Sequence, residues 1–401
     1  MADRINILAL SFLYPNPAQP NHGVFVRNRL AALNQYANVT VINPLPWSPV
    51  HRWMARFAPL ATVPSRRRDA GMQVYHPRFL SVPRYGKGIE PGSYYRAIQR
   101  VLSDFDPGAF DIVDMHWTFP DLPAGLRIAR QLDVPSIVTL RGLEALHQQD
   151  GGVRERLVSE GLRKVNKIIA LSNELKQRGD ALSGDPSKSV VIRNGVDTGL
   201  FSYRSKAACR DELSMSQSET SIVTVGSLIY RKGIDLLVAA AAELREQFEM
   251  PLKVYIIGSE GPEGDYRQAL FRQVEQLGLG DVIRFVGQVD NASLPTWYNA
   301  CDAFCLASRG EGSPNVLTEA LACGCPAVTS DVGSAREIIE SEPDTGYCVP
   351  VDDVTALTQS LRDLLAASTD RRANAARFGH YDWDWCAQQV MVQYRELLEQ
   401  R

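Results

Sequence analysis

Short apolar runs alternate with amphipathic stretches along the chain, and this alternation predicts its secondary structure. The first run, Ile5–Ser11, is predicted to be a strand. A loop rich in proline, asparagine and glycine follows, and a helical pattern at Val24–Gln35 then places Leu30 and Leu33 on one face. Continuous apolar runs of this length are typical of parallel strands that are covered by helices on both faces of the sheet. The pattern therefore predicts an α/β fold.

The alternation occurs twice, which predicts two domains in a chain of 401 residues. Further strands are predicted at Val39–Leu45, Asp111–Trp117, Ser136–Gly142, Lys167–Ser172 and Ser189–Gly195, and then again at Ser221–Ser227, Leu252–Ser259, Val282–Gly287 and Ala303–Ala307. The stretch DELSMSQSET at 211–220 is polar, has no periodicity and is typical of a linker. We predict an N-terminal domain at 1–201, a linker at 202–218, a C-terminal domain at 219–376 and a terminal helix at 377–401.

Composition excludes several classes of protein. A formal charge of −3 does not favour nucleic-acid binding. The seven cysteines all lie from Cys209 onward without a Cys-x-x-Cys pair, which argues against a disulfide framework or a structural zinc and fits a reducing cytosol. The apolar run near the start lacks the basic flank and cleavage site of a signal peptide, and no run reaches the roughly 20 apolar residues of a spanning helix. We therefore expect a cytoplasmic protein.

The stretch RGEGSPNVLTEALACGCP, Arg309–Pro326, carries the main candidate chemistry. It follows the predicted strand Ala303–Ala307, turns through glycines and a proline, and enters a helix. Glu311 lies in the turn and Glu319 on the helix. In doubly wound sheets a ligand binds where a strand ends and a helix begins, because backbone N–H groups and the helix dipole point at it. A glutamate pair at this spacing is common by chance, so its position is what makes it a candidate site.

Two cations stand at the start of another predicted helix. Arg231 and Lys232 precede the helix Gly233–Phe248, where the helix dipole disfavours positive charge. A bound diphosphate would resolve this conflict. The alternative is a pair of exposed basic residues without a ligand.

These motifs resemble those of the retaining nucleotide-sugar glycosyltransferases of family 4, which have the GT-B fold. The similarity includes both glutamates, the turn Gly312-Ser313-Pro314-Asn315, and the residues Glu319–Ala322 and Gly324–Pro326. Asn194-Gly195-Val196-Asp197 is similar to the family's domain junction. Gly226, Leu228, Lys232 and Gly233 match the family's Gly-Arg-Leu and Lys-Gly pattern, whereas Ser227 replaces its arginine and Arg231 is expected to supply that charge. The resemblance covers the chain from Gly23 to the tail.

The resemblance implies two Rossmann-like doubly wound domains facing across a cleft, with the C-terminal helix crossing back to the N-terminal domain. It implies that His116, Glu311 and Lys232 are catalytic, with His116 beside the donor sugar. Glu319 would accept hydrogen bonds from the ribose and Glu311 from the sugar hydroxyls. The donor-binding residues implied are Gly23, Arg231, Lys232, Val289, Gly312, Ser313, Pro314, Asn315, Val316, Leu317 and Glu319. At the end of the predicted strand Ser136–Gly142 the family usually has His-Gly, whereas this chain has Arg141-Gly142, with Glu144 where an acid is usual; a cation at this strand end still suits a phosphate.

The implied reaction is retaining transfer of a sugar from a UDP- or GDP-linked donor to an acceptor hydroxyl, without a metal or other cofactor. No paired-aspartate motif for Mg²⁺ stands out. In the family's front-face route, the leaving phosphate takes the proton of the acceptor. We expect a lipid-linked or polysaccharide glycan as the acceptor, in the synthesis of a cell-surface polysaccharide. The base, the sugar and the acceptor stay open at this point.

An irregular insert is predicted at Pro46–Pro91, and its charge is strongly basic. It contains only two acids, Asp69 and Glu90. Its eight basic residues are Arg52, Arg56, Arg66, Arg67, Arg68, Arg78, Arg84 and Lys87. Trp53, Met54, Phe57 and Leu60 are interleaved with them. A solvated surface is one interpretation. The other is peripheral contact with an anionic membrane at its inner face, to which each basic residue contributes roughly 1 kcal/mol.

Three other classes of protein compete with a glycosyltransferase. A nucleotide-sugar epimerase would share the fold without transferring the sugar. A Rossmann oxidoreductase would need the fingerprint G-x-G-x-x-G, but the glycines at 258, 261 and 264 form G-x-x-G-x-x-G. A periplasmic sugar-binding protein would need an export signal. Of these, the Glu311 and Glu319 motif favours sugar transfer.

Overall fold

The computed structural model describes residues 4–49, 57–81, 88–142, 152–246, 251–261 and 264–400. The chain forms two compact units, which are α/β in class as predicted. Unit 1 consists of residues 1–195 and 383–401, and unit 2 of residues 196–382. Each strand predicted from the apolar runs is present, with somewhat different ends.

Unit 1 contains ten strands among its described residues: β1 Asn6–Leu10, β2 Asn38–Ile42, β3 Leu45–Trp47, β4 Arg66–Asp69, β5 Met72–Tyr75, β6 Arg78–Leu80, β7 Ile112–Met115, β8 Ser136–Leu140, β9 Lys167–Ala170 and β10 Ser189–Val191. Eight of them form one sheet in the order β10-β9-β8-β7-β1-β2-β5-β4, and β3 and β6 form a separate pair. The large sheet is parallel except for β4, which runs antiparallel to β5.

Helices cover both faces of this sheet. They are α1 Val24–Leu33, α2 Glu90–Leu102, α3 Asp121–Leu132, α4 Val153–Lys164 and α5 Asn173–Ser183, with a further helix at the end of the chain. Successive residues of β1 enter opposite cores: Ile7 and Ala9 pack on one face and Leu8 and Leu10 on the other, and all four are fully buried. This period of two explains why the strand is apolar at every position.

Unit 2 contains a parallel six-stranded sheet in the order β13-β12-β11-β14-β15-β16. Its strands are β11 Thr220–Val225, β12 Leu252–Ile257, β13 Ile283–Gly287, β14 Ala303–Leu306, β15 Ala327–Ser330 and β16 Gly346–Val349. Its helices are α6 Lys206–Glu212, α7 Ile234–Leu244, α8 Arg267–Gln276, α9 Leu294–Ala300, α10 Asn315–Ala322, α11 Ala335–Ser341, α12 Val354–Ala366 and α13 Arg371–Phe378. Separate apolar cores fill its two faces, with Ile222 in one and Val223 in the other.

The strand orders locate a ligand-binding edge in each unit. From β1 the chain continues to β2 on one side, whereas β7 lies on the other side of β1. In unit 2, β12 and β14 likewise lie on opposite sides of β11. The loops that follow the two central strands diverge at such a switch point and leave a crevice outside the carboxyl ends of the strands. The loops after β11 and β14 contain the residues singled out in the sequence.

The predicted linker at 202–218 is wrong as a domain boundary, because the chain divides at Gly195. The segment contains α6, which starts at an N-cap where Ser205 accepts a hydrogen bond from the Ala208 N–H. Arg210 is fully buried and contacts Asp302 and the Ala300 carbonyl. The polar sequence therefore reflects polar contacts inside unit 2. Likewise, α13 and residues up to 382 belong to unit 2, so the terminal helix starts later than residue 377.

The insert at Pro46–Pro91 is more regular than predicted. Its described residues contain β4, β5 and β6, and β3 starts at its edge. β4 and β5 form a hairpin in which the two turn residues, Ala70 and Gly71, both have positive φ. Met72 and Val74 are buried while Gln73 is partly exposed, so this strand is covered on only one face and lacks the continuous apolar run used for the prediction.

The last helix, α14 Trp383–Glu399, packs on α1 within unit 1, as the resemblance implied. Its apolar face contributes Val390, Met391 and Leu397 to the core on that side of the sheet. Tyr394 reaches furthest inward: its hydroxyl donates a 2.6 Å hydrogen bond to the Asp114 carboxylate at the end of β7, and both side chains are buried. Among the described residues, no helix is long and apolar enough to cross a membrane.

We predict that Tyr394→Phe lowers the free energy of unfolding by about 2 kcal/mol, because a buried carboxylate loses a hydrogen bond while the packing is unchanged. Chemical denaturation measures this change. Tyr347→Phe is the matched control, since Tyr347 is exposed on β16. Equal stabilities of wild type and Tyr394→Phe would show that this bond does not hold α14 to the unit.

Candidate functional site

The loops after β11 and β14 are joined to each other by reciprocal hydrogen bonds. The Arg309 N–H donates to the Arg231 carbonyl at 2.7 Å, and the Arg231 guanidinium donates to the Gly310 carbonyl, also at 2.7 Å. Each loop thus holds the backbone of the other. The geometry of the site at this switch point is therefore set jointly by two segments that lie about 80 residues apart in the chain.

Glu311 is the centre of an ion cluster in these loops. Its carboxylate accepts hydrogen bonds from Lys232 Nζ at 2.7 Å and Ser308 Oγ at 2.8 Å, and Arg231 Nη1 lies 3.5 Å away. The Glu311 side chain is only 10% exposed. The cluster thus places two cations, Lys232 and Arg231, together at the carboxyl edge of the sheet. It is therefore suited to bind an anion.

The N-terminus of α10 faces the same crevice edge, since α10 follows the loop after β14. The helix starts after Pro314 without a side-chain cap. Uncapped N–H groups and the helix dipole favour an anionic ligand here. Ser313 Oγ accepts a hydrogen bond from Ser334 Oγ at 3.0 Å. Leu317 is fully buried in the core, so only its backbone is available for donor binding.

Glu319 lies one helical turn further along α10 and is half-buried. The hydroxyl of Tyr298 donates a 3.3 Å hydrogen bond to its carboxylate. Burial raises the pKa of Glu319 to about 7. Hydroxyl groups of a ligand that donate to the carboxylate would favour its ionised form and lower this pKa. Tyr298 itself is fully buried, and its hydrogen bond orients Glu319.

Val289, the remaining candidate of unit 2, lies just beyond the end of β13 and is half-buried against the apolar core. Its neighbour Gln288 accepts a 3.3 Å hydrogen bond from Ser259 Oγ, which follows β12. Val289 is thus in a loop at the carboxyl edge of the same sheet. Its predicted role in binding the donor stays a prediction.

His116 belongs to a buried network in unit 1 at the carboxyl ends of β7 and β8. Its Nε2 lies 2.9 Å from the Asp114 carboxylate, and Arg141 Nη2 lies 2.8 Å from its Nδ1. Burial lowers the pKa of His116, so the imidazole is neutral. The neutral ring accepts a hydrogen bond at Nδ1 from the Arg141 guanidinium, whereas its Nε2, although close to the Asp114 carboxylate, makes no well-aligned hydrogen bond among the described residues. The network therefore fixes the ring, and the predicted catalytic role of His116 stays a prediction.

Gly23 is the N-cap of α1, with φ +66°. A Cβ atom at this position would lie 1.9 Å from the Leu13 carbonyl oxygen. The close approach of its own loop therefore requires glycine here, whether or not a donor binds beside it. Glu144, in contrast, lies outside the described residues.

Two residues of the site were not found from the sequence. Arg309 donates to the Asp235 carboxylate at 2.7 Å and 2.9 Å and to Asp352 at 2.7 Å, and its guanidinium lies 3.9 Å from the centre of the Tyr230 ring. Gly333 has φ +54°, and a Cβ there would lie 2.4 Å from the Gly312 carbonyl oxygen. Arg309 ties its own loop to Asp235 and Asp352, and Gly333 approaches the loop from the segment after β15. These partners are distant in sequence, so no local spacing signals either role. Among the described residues, no group of His, Cys, Asp or Glu side chains is arranged to hold a metal ion.

Two family profiles match the chain. The family described as glycosyltransferase family 4 matches residues 57–200, and that described as glycosyl transferases group 1 matches residues 206–380. The D-inositol 3-phosphate glycosyltransferase of Frankia alni is 29% identical over 397 residues, covering 94% of this chain and 93% of that protein. The putative teichuronic acid biosynthesis glycosyltransferase TuaC of Bacillus subtilis is 26% identical over 347 residues, covering 83% of each.

Solved structures share the fold over nearly the whole chain. Sucrose-phosphate synthase from Thermosynechococcus elongatus superposes with a TM-score of 0.78 at 21% identity, covering 99% of this chain and all of that one. The Anabaena protein HepE, in complex with UDP, has a TM-score of 0.75 at 19% identity and covers 98% of this chain and all of that one.

We predict that Arg309→Gln makes amide hydrogen exchange about tenfold faster in the loops 229–233 and 309–313, because it removes the bonds that join them to Asp235 and Asp352. Hydrogen-exchange mass spectrometry measures this rate. Arg204→Gln is the control, because Arg204 pairs with Glu212 and Thr296 of unit 2, outside these loops. Equal exchange in the loops of both variants would contradict a positioning role for Arg309.

Proposed function

Because the chain belongs to the family 4 and group 1 glycosyltransferases and has the GT-B fold, we propose that it transfers a sugar from a nucleoside diphosphate sugar to an acceptor hydroxyl. The observation that carries this proposal is the cluster of Lys232, Arg231 and Glu311 at the switch point of unit 2. Two cations with one carboxylate, beside the uncapped start of α10, suit a diphosphate.

The chemistry requires that the charge developing on the diphosphate be neutralised while the sugar is held with its anomeric carbon towards the acceptor. Lys232 and Arg231 serve the first requirement, together with the backbone at 312–316. In the resting cluster Lys232 contacts Glu311 at 2.7 Å. When the donor binds, its phosphate shares Lys232 with Glu311, and the Glu311 carboxylate accepts hydrogen bonds from the sugar hydroxyls. Glu319 accepts hydrogen bonds from the ribose.

The transfer retains the configuration at the anomeric carbon and proceeds without a metal ion. The acceptor oxygen forms a bond to the anomeric carbon on the face from which the diphosphate departs, and the leaving phosphate takes the proton of the acceptor hydroxyl. The acceptor is therefore the nucleophile and the phosphate the base, so neither role needs a side chain. Arg231 and Lys232 stabilise the negative charge on that phosphate. We propose that His116, whose neutral ring is held by Arg141 at the carboxyl edge of the unit 1 sheet, contacts the donor sugar.

The acceptor is a glycan, either lipid-linked or part of a cell-surface polysaccharide. The similarity to TuaC, whose name refers to teichuronic acid biosynthesis, supports this choice. The similarity to D-inositol 3-phosphate glycosyltransferases supports acceptors with hydroxyl-rich rings more generally. The complex of HepE with UDP supports a UDP-linked sugar as the donor.

We predict that one of UDP, GDP and ADP, with a chelator present, raises the melting temperature of the protein, and that NAD does not. A ligand at 100 times its dissociation constant stabilises the folded protein by about 2.7 kcal/mol.

Lys232→Ala should weaken binding of the nucleoside diphosphate at least tenfold, because a charge-assisted hydrogen bond is lost. Lys253→Ala, which changes a lysine whose ammonium contacts the Asp281 carbonyl, is the control. Glu311→Ala should keep nucleotide affinity while slowing release of nucleoside diphosphate from the matching nucleotide sugar.

A shift with NAD alone would contradict the donor site. Undiminished affinity in Lys232→Ala would remove that residue from the phosphate site. A loss of affinity with normal turnover in Glu311→Ala would mean that the roles of Glu311 and Glu319 are exchanged.

We also propose peripheral contact with an anionic membrane. Fewer arginines of the insert at Pro46–Pro91 lie at the surface for this contact than the sequence suggested. Arg67 contacts Asp69 and His76, and Arg78 donates to the carbonyls of Leu60 and Val63, so these two point into the unit. Arg66 and Arg68 are exposed on β4, as a membrane contact requires. The remaining basic residues of the insert, Arg52, Arg56, Arg84 and Lys87, lie outside the described residues, as do Trp53 and Met54.

We predict that the protein floats with liposomes containing anionic lipid but not with neutral ones. The double variant Arg66→Ser, Arg68→Ser should bind about 30-fold more weakly, because each basic residue contributes roughly 1 kcal/mol. The double variant Arg156→Ser, Arg163→Ser removes the same charge from the exposed face of α4 and should bind normally. Equal recovery with anionic and neutral liposomes would exclude the membrane contact.

A further inference from the structure

A small cavity lies in unit 1 beside the strand pair β3–β6. β3 and β6 each begin three residues after the carboxyl ends of the adjacent parallel strands β2 and β5. The Asn43 N–H donates to the Tyr75 carbonyl and the Leu45 N–H to the Pro77 carbonyl, so hydrogen bonding continues from one pair to the next. The cavity therefore belongs to the carboxyl edge of the unit 1 sheet, where ligands of such sheets bind.

The cavity has a volume of about 270 Å³. Pockets for drug-sized ligands begin at roughly 300 Å³, so this one suits a single ring-sized group. Aromatic and proline rings form much of its wall, among them Trp47, Phe57, Pro46 and Pro49. Trp47 is 51% exposed, so a large flat aromatic surface is available to a ligand.

A buried hydroxyl without a partner lines the same cavity. Ser48 is 4% exposed, and its Oγ has no hydrogen-bond partner among the described residues. A buried polar group that makes no hydrogen bond destabilises the free protein. Rotation about the Cα–Cβ bond of Ser48 would turn this hydroxyl towards the cavity, where a hydroxyl of a ligand would supply the missing partner.

Arg78 adds a guanidinium to the lining, and its orientation is fixed. Its Nη2 donates to the carbonyls of Leu60 at 2.8 Å and Val63 at 2.7 Å, which ties the floor of the cavity to the 3-10 helix at Ala58–Thr62. Burial lowers the pKa of Arg78. The cavity therefore combines apolar ring surfaces with two polar groups at set positions, which is the usual composition of a specific small-molecule site.

We propose that this cavity binds one pyranose unit of the glycan acceptor, distant from the hydroxyl that reacts. A pyranose has apolar C–H groups on its faces, which pack on aromatic rings, and hydroxyls at its rim, which pair with Ser48 Oγ and the guanidinium of Arg78. A hydrocarbon chain would also pack on Trp47 but would leave the Ser48 hydroxyl unpaired, so the sugar is the better occupant. This inference rests on the proposed function, because it specifies the acceptor of that reaction.

Saturation-transfer NMR with a panel of methyl glycosides (glucoside, mannoside, galactoside and N-acetylglucosaminide) tests the site without donor and without turnover. At least one glycoside should bind to the full-length protein. Trp47→Ala should weaken this binding at least tenfold, because an aromatic anchor is lost. Leu80→Ala is the matched control, since Leu80 is exposed and is the register partner of Trp47 but does not line the cavity.

The variant Ser48→Ala distinguishes a loss of glycoside binding from a loss of stability. Because the hydroxyl is unpaired without ligand, this variant should keep or raise the melting temperature while weakening glycoside binding about three- to tenfold. Unchanged glycoside binding in both Trp47→Ala and Ser48→Ala would overturn the assignment of the cavity.

A further experiment tests whether the cavity binds a lipid chain instead of a sugar. If decyl phosphocholine micelles bind at Trp47 and no methyl glycoside does, the sugar assignment is overturned. The result is independent of the nucleoside diphosphate titration: loss of the cavity site with a normal nucleotide shift would reject this inference alone, and glycoside binding without a nucleotide shift would reject the donor site alone.

Discussion

A cluster of two cations and a nearly buried carboxylate at the edge of the unit 2 sheet is the interaction on which the candidate active site depends. Lys232 and Arg231 both contact the carboxylate of Glu311, whose side chain is nearly buried. Water screens the charges of Lys232 and Glu311 little, so an anion that enters the cluster would interact strongly with its cations. The parallel sheet makes the arrangement possible, because only the carboxyl ends of β11 and β14 bring these loops to one edge. The rest of unit 2 supports this edge.

The fixed positions of the charged groups matter as much for the candidate site as their charge. Arg309 joins the Glu311 loop to α7 through Asp235, and Gly333 admits the carbonyls of that loop at a distance no side chain would tolerate. Neither residue is needed to attract an anion. Both restrict where Glu311 and Lys232 lie before a donor arrives, and such preorganisation is what lets charges stabilise a transition state. The ion cluster and its supports therefore act as one unit.

Unit 1 uses the same architecture for different chemistry. At its switch point a buried network of Asp114, His116 and Arg141 is closed by Tyr394, which comes from the last helix of the chain. Further along the same edge, β3 and β6 form the cavity with Trp47 and Ser48. The network is enclosed by protein on all sides, because Asp114 and His116 are buried. The cavity is different, because the Trp47 ring at its wall is half exposed and can contact a ligand.

The sequence by itself determined the α/β class, the two alternating halves and the motif around Glu311 and Glu319, because apolar periodicity and turn residues are local signals. It also identified Lys232 and Arg231 from their unfavourable position at a helix start. It placed the division of the chain wrongly, since the polar residues after Phe201 are satisfied by contacts distant in sequence, such as Arg210 with Asp302. Only the tertiary structure decided that Lys232 contacts Glu311, that Arg309 holds their loops, that His116 is enclosed, and that Ser48 lines a cavity. These are contacts between residues brought together by strand order, which no local pattern encodes.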